Sequence, residues 1–219
     1  MTIADNIEAV RRRIAAAAER AGRDPTSIKL IAVTKGVPPA AIREALAAGV
    51  SDFGESFLQE ALLHIEALAA PDATWHFIGH LQTNKAAAAL AAFPIIHSVD
   101  SLRLAEQLSR RSTTTVRILL EVNVAAEATK YGFTSSTLGD AVARIGRLPH
   151  IDLAGLMTVA PAAAGPEAVR PVFRELRDLA TANGLADLSM GMSDDFEVAI
   201  EEGATMVRLG RAIFGERST

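Results

Sequence analysis

Lys35 is the residue whose position most directly suggests covalent chemistry. It ends the apolar run 30–34 and is followed by Gly36, while Pro38 and Pro39 stop that run from continuing. A parallel strand buried on both faces would leave the Lys35 amine at the edge of an apolar interior. Loss of hydration there disfavours the charged form and leaves a nucleophilic neutral amine, which is the environment of a Schiff-base lysine. The alternative is a solvated lysine at a strand end, the common situation for this residue type.

Two segments near the C-terminus could bind an anion. In MGMSDDFEVAI, Ser193 is predicted to cap a helix that begins at Asp194, so that backbone N–H groups and the positive end of the helix dipole would face a ligand. The alternative is that Ser193 caps the helix without any ligand. In MVRLGRAIFG, Gly210 and Arg211 offer backbone amides just beyond an apolar strand.

Arg208 lies inside that apolar strand. A buried guanidinium does not lose its charge cheaply, so it requires a partner. The sequence offers two carboxylates, Glu55 and Asp100, as structural partners. The alternative partner is an acceptor atom on a bound ligand.

The histidines give no indication of a metal site. His76 and His97 fall within apolar runs and are predicted to be hydrogen-bonded core residues, whereas His80 follows a strand end and could line a site. The sequence contains neither HExxH nor another spacing typical of metal ligands, so no metal is expected.

The candidate residues fall on a repeating pattern of short apolar runs and alanine-rich helical stretches. This pattern predicts an α/β fold, a (β/α)8 TIM barrel, in a single domain over 1–219, with an additional N-terminal helix at 2–22 and the barrel at 29–215. A doubly wound open sheet is the alternative, but no GxGxxG follows the first strand. The predicted strands are 29–34, 51–55, 75–79, 95–100, 116–123, 151–159, 187–192 and 205–210. The predicted helices between them are 39–48, 56–70, 83–92, 101–111, 134–147, 165–184 and 194–202.

A barrel of this kind places its functional groups at the C-terminal ends of its strands, with a phosphate site commonly on the loops after strands seven and eight. The residues at the predicted strand ends are rich in glycine and hydroxyl groups, which suits a small ligand that carries a phosphate. Lys35, Ser56, Met192 and Ser193 are therefore expected to lie at one end of the barrel, together with the residues after strand eight.

Composition excludes several classes of function. The net charge of −4 gives no general attraction to nucleic acid or to an anionic membrane, so neither is expected as a partner. The absence of cysteine excludes disulfides and fits a cytoplasmic protein. No signal peptide is expected, because the N-terminal segment MTIADNIEAVRRR carries charges where a signal peptide needs an apolar core. No membrane span is expected, because the longest apolar run, 86–96, is short and contains Pro94. A monomer is the default expectation, since no dimer surface is evident.

The chain resembles the pyridoxal 5′-phosphate (PLP) homeostasis proteins, whose barrel is of the alanine racemase N-terminal type. The resemblance implies that PLP is the cofactor and that Lys35 holds it as a Schiff base. It also implies that Ser193 and the backbone around Gly210 and Arg211 hold the phosphate, and that Arg208 faces the pyridine nitrogen. The matching segments are LIAVTKG, DFGESFLQE, WHFIGHLQTNK, IIHSVDS, VNVAAEATKYGF, GLMTVAP, LSMGMSDDFEVAI and GATMVRLGRAIFG.

Two positions depart from the family pattern. Ser56 stands where the family usually has asparagine, which puts a side-chain contact there in doubt. Ala204 stands where many relatives have serine, so that one hydroxyl near the phosphate is expected to be missing while Thr205 is retained.

The resemblance implies a role in cofactor balance, in which the protein stores PLP or delivers it to PLP-dependent apo-enzymes without turning over amino acids. An arginine on the pyridine nitrogen makes PLP a weak electron sink. Racemases of this type also take a second acid or base from another domain, which this chain is expected to lack. Lys130 is a candidate for a second amine near the site. The alternatives are a PLP-dependent racemase or lyase that uses the same lysine, and a sugar-phosphate enzyme in which Lys35 attacks the substrate directly.

Overall fold

The computed structural model describes residues 2–127, 129–161 and 165–216. Within these ranges eight parallel strands close into a barrel in the order β1 to β8. The strands are β1 Lys29–Val33, β2 Asp52–Glu55, β3 Thr74–Phe77, β4 Ile95–Val99, β5 Val116–Glu121, β6 Ile151–Met157, β7 Asp187–Ser189 and β8 Met206–Leu209. The prediction of a (β/α)8 barrel is confirmed.

Helices follow each strand and surround the barrel. They are α1 Ile3–Arg20, α2 Pro39–Ala47, α3 Leu58–Leu68, α4 Ala86–Ala92, α5 Leu102–Arg111, α6 Ser135–Ile145, α7 Arg170–Ala182, α8 Phe196–Glu201 and α9 Arg211–Phe214. Helix α9 is not evident from the apolar pattern of the sequence. Helices α4 and α7 begin later than predicted, because 3₁₀ turns at Thr83–Lys85 and Pro166–Val169 precede them.

Apolar side chains fill two regions of the fold. The larger lies between the strands and the surrounding helices and includes Phe53, Phe77, Phe93 and Phe173. The smaller lies inside the barrel and consists of four buried residues, Ile31, Leu119, Met157 and Met206. Strands that are buried on both faces in this way require continuous apolar runs, which is why the sequence lacks strict polar alternation.

Helix α1 packs against α8 and α9, close to the last strands of the barrel. The hydroxyl of Thr2 accepts a hydrogen bond from the Asp5 amide, and the Asp5 carboxylate accepts one from the Thr2 amide. These two reciprocal hydrogen bonds form a capping box at the start of the helix. The Asn6 side chain donates to the Ile213 carbonyl at 2.8 Å. The N-terminal helix thereby supports the short helix that carries Arg211.

None of the helices in the described part of the chain is both long enough and apolar enough to span a membrane.

The close approach of β6 and β7 predicts a specific cost for one added methyl group. In Gly155→Ala the new Cβ would lie 2.0 Å from the Asp187 carbonyl oxygen, a backbone atom that cannot move without shifting β7. We expect a loss of about 3 kcal/mol in the free energy of unfolding, measured by urea denaturation. The control is Gly139→Ala inside α6, where the nearest atom is 3.8 Å away and alanine should stabilise by roughly 0.5–1 kcal/mol. Equal effects of the two substitutions would contradict the described strand contact.

Candidate functional site

A cavity of about 620 Å³ opens at the C-terminal ends of the strands. Its size lies within the range of small-molecule sites. The residues that line it are Val33, Lys35, Ser56, Ile78, Val159, Met192, Ser193, Asp194, Arg208, Gly210, Arg211, Gly215 and Glu216. Seven of the eight residues predicted for the site are in this set, and Thr205 is not.

Lys35 extends from the loop after β1 to the edge of the cavity. Its Nζ lies 4.6 Å from the centre of the Phe57 ring, and the side chain is half-buried. Two hydrogen bonds hold the loop on either side of it: the Thr34 hydroxyl donates to Glu55, and the Gly36 amide donates to Glu60. The lysine is therefore placed by a constrained loop, with its amine over an aromatic face at the cavity edge.

Ser56 is brought to the cavity by a close backbone contact with the next strand. A Cβ on Gly79 would lie 2.1 Å from the Ser56 carbonyl oxygen, so the loops after β2 and β3 can meet only because residue 79 is glycine. Ile78 and Ser56 then line the same wall of the cavity.

Glu55 is not the partner of Arg208, and this prediction is wrong. Along β2, Asp52 points into the barrel, so the alternation of a strand turns Glu55 outward toward α3. There it accepts hydrogen bonds from the Thr34 hydroxyl and from His64 Nδ1, the latter at 2.6 Å. Burial raises the pKa of Glu55, against the effect of these hydrogen bonds.

Asp100 is not the partner of Arg208 either. Its carboxylate lies 2.9 Å from Nδ1 of His80, whose ring stacks on Tyr131 with 3.8 Å between ring centres. His80 and Asp100 line a different cavity, of about 440 Å³, with Arg103. The expectation that His80 lines the site with Lys35 is wrong, because the loop after β3 carries it toward β4.

Arg208 hydrogen-bonds instead to neutral groups. One terminal nitrogen donates to the Ser189 hydroxyl at 2.7 Å and the other to the Thr158 carbonyl at 2.8 Å. Only 4% of the residue is exposed. Burial lowers the pKa of Arg208 to about 10, and the carboxylates of Glu121 and Asp195 act in the opposite direction. The guanidinium therefore stays charged at neutral pH while it lines the cavity.

Ser193 does not cap α8, which begins two residues later than predicted. The capping position belongs to Asp195, whose carboxylate accepts a hydrogen bond from the Met192 amide at 2.6 Å. Burial raises the pKa of Asp195. The Ser193 hydroxyl instead accepts a hydrogen bond from the Ala212 amide at 3.2 Å and so joins the loop after β7 to the start of α9.

Gly210 and Arg211 follow β8 directly. Gly210 is the residue that precedes α9, and Arg211 is its first residue. The Arg211 guanidinium forms ion pairs with Asp194 and, at 3.4 Å, with Glu216. Its side-chain charge is thus already compensated by carboxylates, and both Gly210 and Arg211 line the cavity.

Thr205 lies at the opposite end of the barrel, so its assignment to the phosphate site is wrong. It precedes β8, and the start of a strand lies at the N-terminal end of a parallel barrel. There its hydroxyl accepts a hydrogen bond from the Leu188 amide at 2.9 Å, and the residue lines a separate cavity with Lys29 and Arg117. The substitution at Ala204 accordingly has no bearing on the site.

Lys130 does not line the cavity but contacts a residue that does. Its Nζ donates to the carbonyl of Val159, a lining residue, at 3.2 Å and pairs with Glu127. Three further lining residues, Val33, Ile78 and Val159, were not predicted for the site, because they are apolar and their side chains suggest no chemistry. Their positions at predicted strand ends are the one pattern that could have identified them.

Comparison with known proteins identifies the family. The family described as alanine racemase, N-terminal domain, matches residues 6–218. A pyridoxal phosphate homeostasis protein of Pseudomonas aeruginosa is 46% identical over 221 residues, which cover 99% of this chain and 96% of that protein. The chain belongs to the pyridoxal phosphate homeostasis protein family. The resemblance drawn from the sequence is confirmed.

Other family members agree over the full barrel. A pyridoxal phosphate homeostasis protein of Aquifex aeolicus is 43% identical over 226 residues, covering 99% of each chain. The structure of PipY from Synechococcus elongatus, determined with PLP bound, has a TM-score of 0.86 and 35% identity, and the match covers 98% of this chain and 100% of that one.

The buried carboxylate beside the lysine loop predicts a pH-dependent effect on stability. Because burial raises the pKa of Glu55 in the folded protein, ionisation favours the unfolded state as pH rises from the ordinary value of 4.5 through the folded value. The stability of Glu55→Gln relative to wild type should therefore increase over this interval in urea denaturation.

Asp5→Asn is the control of opposite sign. Hydrogen bonds from the Thr2 amide and hydroxyl lower the pKa of Asp5, so its contribution is present above the ordinary value of 3.8 and is lost as pH falls. This variant should be less stable than wild type at neutral pH and approach it in acid. A parallel pH dependence for the two variants would contradict the assignment.

Proposed function

We propose that this protein binds PLP in the 620 Å³ cavity, with Lys35 as its covalent attachment, and acts in intracellular PLP homeostasis by storing and delivering the cofactor. The observation that carries the proposal is the meeting of a primary amine, a serine hydroxyl and a buried guanidinium in one cavity, on Lys35, Ser193 and Arg208. The PLP-bound structure of PipY, a relative over the whole chain, supports the choice of ligand.

The chemistry of these donors fits the groups of PLP. PLP supplies an aldehyde that forms a Schiff base with a lysine amine, and its ring can accept electrons from a bound amino acid. Lys35 is the amine at the cavity edge. The Ser193 hydroxyl can donate to a phosphate oxygen while it accepts from the Ala212 amide, because a hydroxyl does both.

Arg208 has the properties of a partner for the pyridine nitrogen. Its guanidinium is a donor only, and with a pKa of about 10 it keeps its protons at neutral pH. It can therefore hold an unprotonated ring nitrogen but does not supply it with a proton. An unprotonated ring withdraws electrons weakly, which favours storage of the cofactor over chemistry on amino acids.

The residues around the cavity also favour a carrier. Racemisation requires an acid or base on each face of the substrate. Among the lining residues that the structure describes there is no tyrosine or histidine, and the two acids, Asp194 and Glu216, are paired with Arg211. The recipients would be PLP-dependent apo-enzymes. The alternative function is a racemase or lyase that uses Lys35.

Covalent attachment predicts an absorbance band that depends on one lysine. Wild type incubated with PLP and desalted should retain a band near the visible edge, and borohydride reduction should fix the cofactor on the peptide that contains Lys35. Lys35→Ala should lose the retained band, whereas the control Lys85→Ala should keep it, since Lys85 lies outside the cavity. Attachment to Lys130 in the wild type would contradict the assignment.

The carrier role predicts little exchange of the amino-acid α-proton. Loaded wild type should be incubated with single L-amino acids in deuterated water, and exchange should be followed by NMR. We expect rates close to those of free PLP at the same concentration. Exchange at enzymatic rates that disappears in Lys35→Ala would instead establish the racemase or lyase alternative.

A further inference from the structure

A chain of hydrogen-bonded side chains crosses the barrel from the cavity to the opposite end. It begins at Arg208, which donates to the Ser189 hydroxyl at 2.7 Å. The Ser189 oxygen lies 2.8 Å from Nδ1 of His97. Since β4 and β7 are not neighbours in the barrel, the contact between His97 and Ser189 must pass through the barrel interior.

The chain continues to the N-terminal ends of the strands. His97 Nε2 lies 2.9 Å from His76 Nδ1, and His76 Nε2 lies 2.9 Å from an Asp52 carboxylate oxygen. Lys29 donates to the same oxygen at 2.7 Å. Both histidines and Ser189 are fully buried, so the hydrogen bonds among these three residues have no competition from bulk water.

The Asp52 end sets the direction of the hydrogen bonds. An ionised carboxylate can only accept, so His76 donates to Asp52 from Nε2. With one proton on each ring, His76 Nδ1 accepts from His97 Nε2, and His97 Nδ1 accepts from the Ser189 hydroxyl. The Ser189 oxygen in turn accepts from Arg208, which can only donate.

The protonation states agree with this direction. Burial is the largest of the causes that hold the pKa of His97 well below its usual value, and the positive charges of Arg208 and Lys29 act in the same direction, so the His97 ring is neutral. Burial also acts on Asp52, but the hydrogen bonds from His76, Lys29 and Ser51 outweigh it and hold the pKa of that carboxyl well below its usual range. A neutral ring therefore lies between a cation and an anion.

We propose that Asp52 anchors this series of hydrogen bonds at the far end of the barrel, and that Ser189, His97 and His76 are positioning residues that fix the guanidinium in the cavity. No carboxylate of the described residues pairs directly with Arg208, and a buried unpaired charge is costly. A chain of aligned hydrogen bonds polarises along its length and can connect the two charges. Glu121 and Asp195 also act on Arg208, from the cavity side. The expected effect of these residues on PLP retention rests on the proposed function.

The first test is the tautomeric state of the buried histidines, measured by NMR on full-length protein labelled with ¹⁵N histidine, without added PLP. The sequence has five histidines, so His→Gln variants can assign the signals. His97 should be neutral with its proton on Nε2, and His76 should carry a proton on the Nε2 that faces Asp52. A proton on Nδ1 of His97, or a charged His97 ring, would overturn the proposal.

The second measurement asks whether the charge at Asp52 is transmitted along the chain. Asp52→Asn should shift the ¹⁵N signals of His97, although His76 lies between them. The matched control is Asp187→Asn, which removes a carboxylate at the same end of the barrel. Asp187 pairs with Arg117 at 2.8 Å and takes no part in the hydrogen bonds between Arg208 and Asp52. A mere packing role would give similar His97 shifts in both variants, and that result would overturn the proposal.

The third measurement tests the cavity end and separates this proposal from the proposed function. Ser189→Ala removes the link to Arg208 with a minimal change in size, and it should weaken PLP retention roughly tenfold, as should Asp52→Asn, while Asp187→Asn should not. Equal retention by all variants and wild type would overturn the positioning role. Failure of wild type itself to retain PLP would overturn the proposed function. The hydrogen-bond chain through the barrel is tested separately, by the histidine spectra.

Discussion

The positive charge of Arg208, buried beneath the cavity, is the constraint on which the interior of this barrel depends. An apolar barrel core cannot hold a guanidinium without acceptors, and here the acceptors are the Ser189 hydroxyl and the Thr158 carbonyl. These neutral groups leave the charge itself to be compensated at a distance. The polar side chains of the interior, His76 and His97, follow from that requirement, because each must be satisfied by a neighbour in the same chain of hydrogen bonds.

The cavity itself is assembled from loops that are individually held in place. The Lys35 loop is tied to Glu55 and Glu60, and the loop after β7 is tied to α9 through Ser193 and Ala212. Helix α1 packs against α9 from outside. A primary amine and a guanidinium can therefore approach one ligand from different strands without large rearrangement, which is what a binding protein requires for low ordering cost.

Much of the site could be predicted because position along the chain implies position in a parallel barrel. Lys35 and Met192 were placed at the cavity end from the apolar runs that precede them. Thr205 was assigned to the wrong end of the barrel. It comes just before β8 and therefore lies at the N-terminal ends of the strands, and a family pattern of hydroxyl residues does not show at which end of a strand a hydroxyl lies. The helix cap was predicted at Ser193 but lies two residues later, at Asp195, because each of the polar residues 193–195 is a residue type that can cap a helix.

The sequence by itself determined the eight-stranded barrel, the family and the lysine at the cavity edge, because apolar periodicity and local motifs are properties of neighbouring residues. Only the tertiary structure decided which groups partner Arg208. The sequence suggested Glu55, but strand alternation turns that carboxylate outward, and the structure brings Ser189 from β7 and His97 from β4 together across the barrel. Contacts between residues so distant along the chain are set by the closure of the barrel, which no local pattern records.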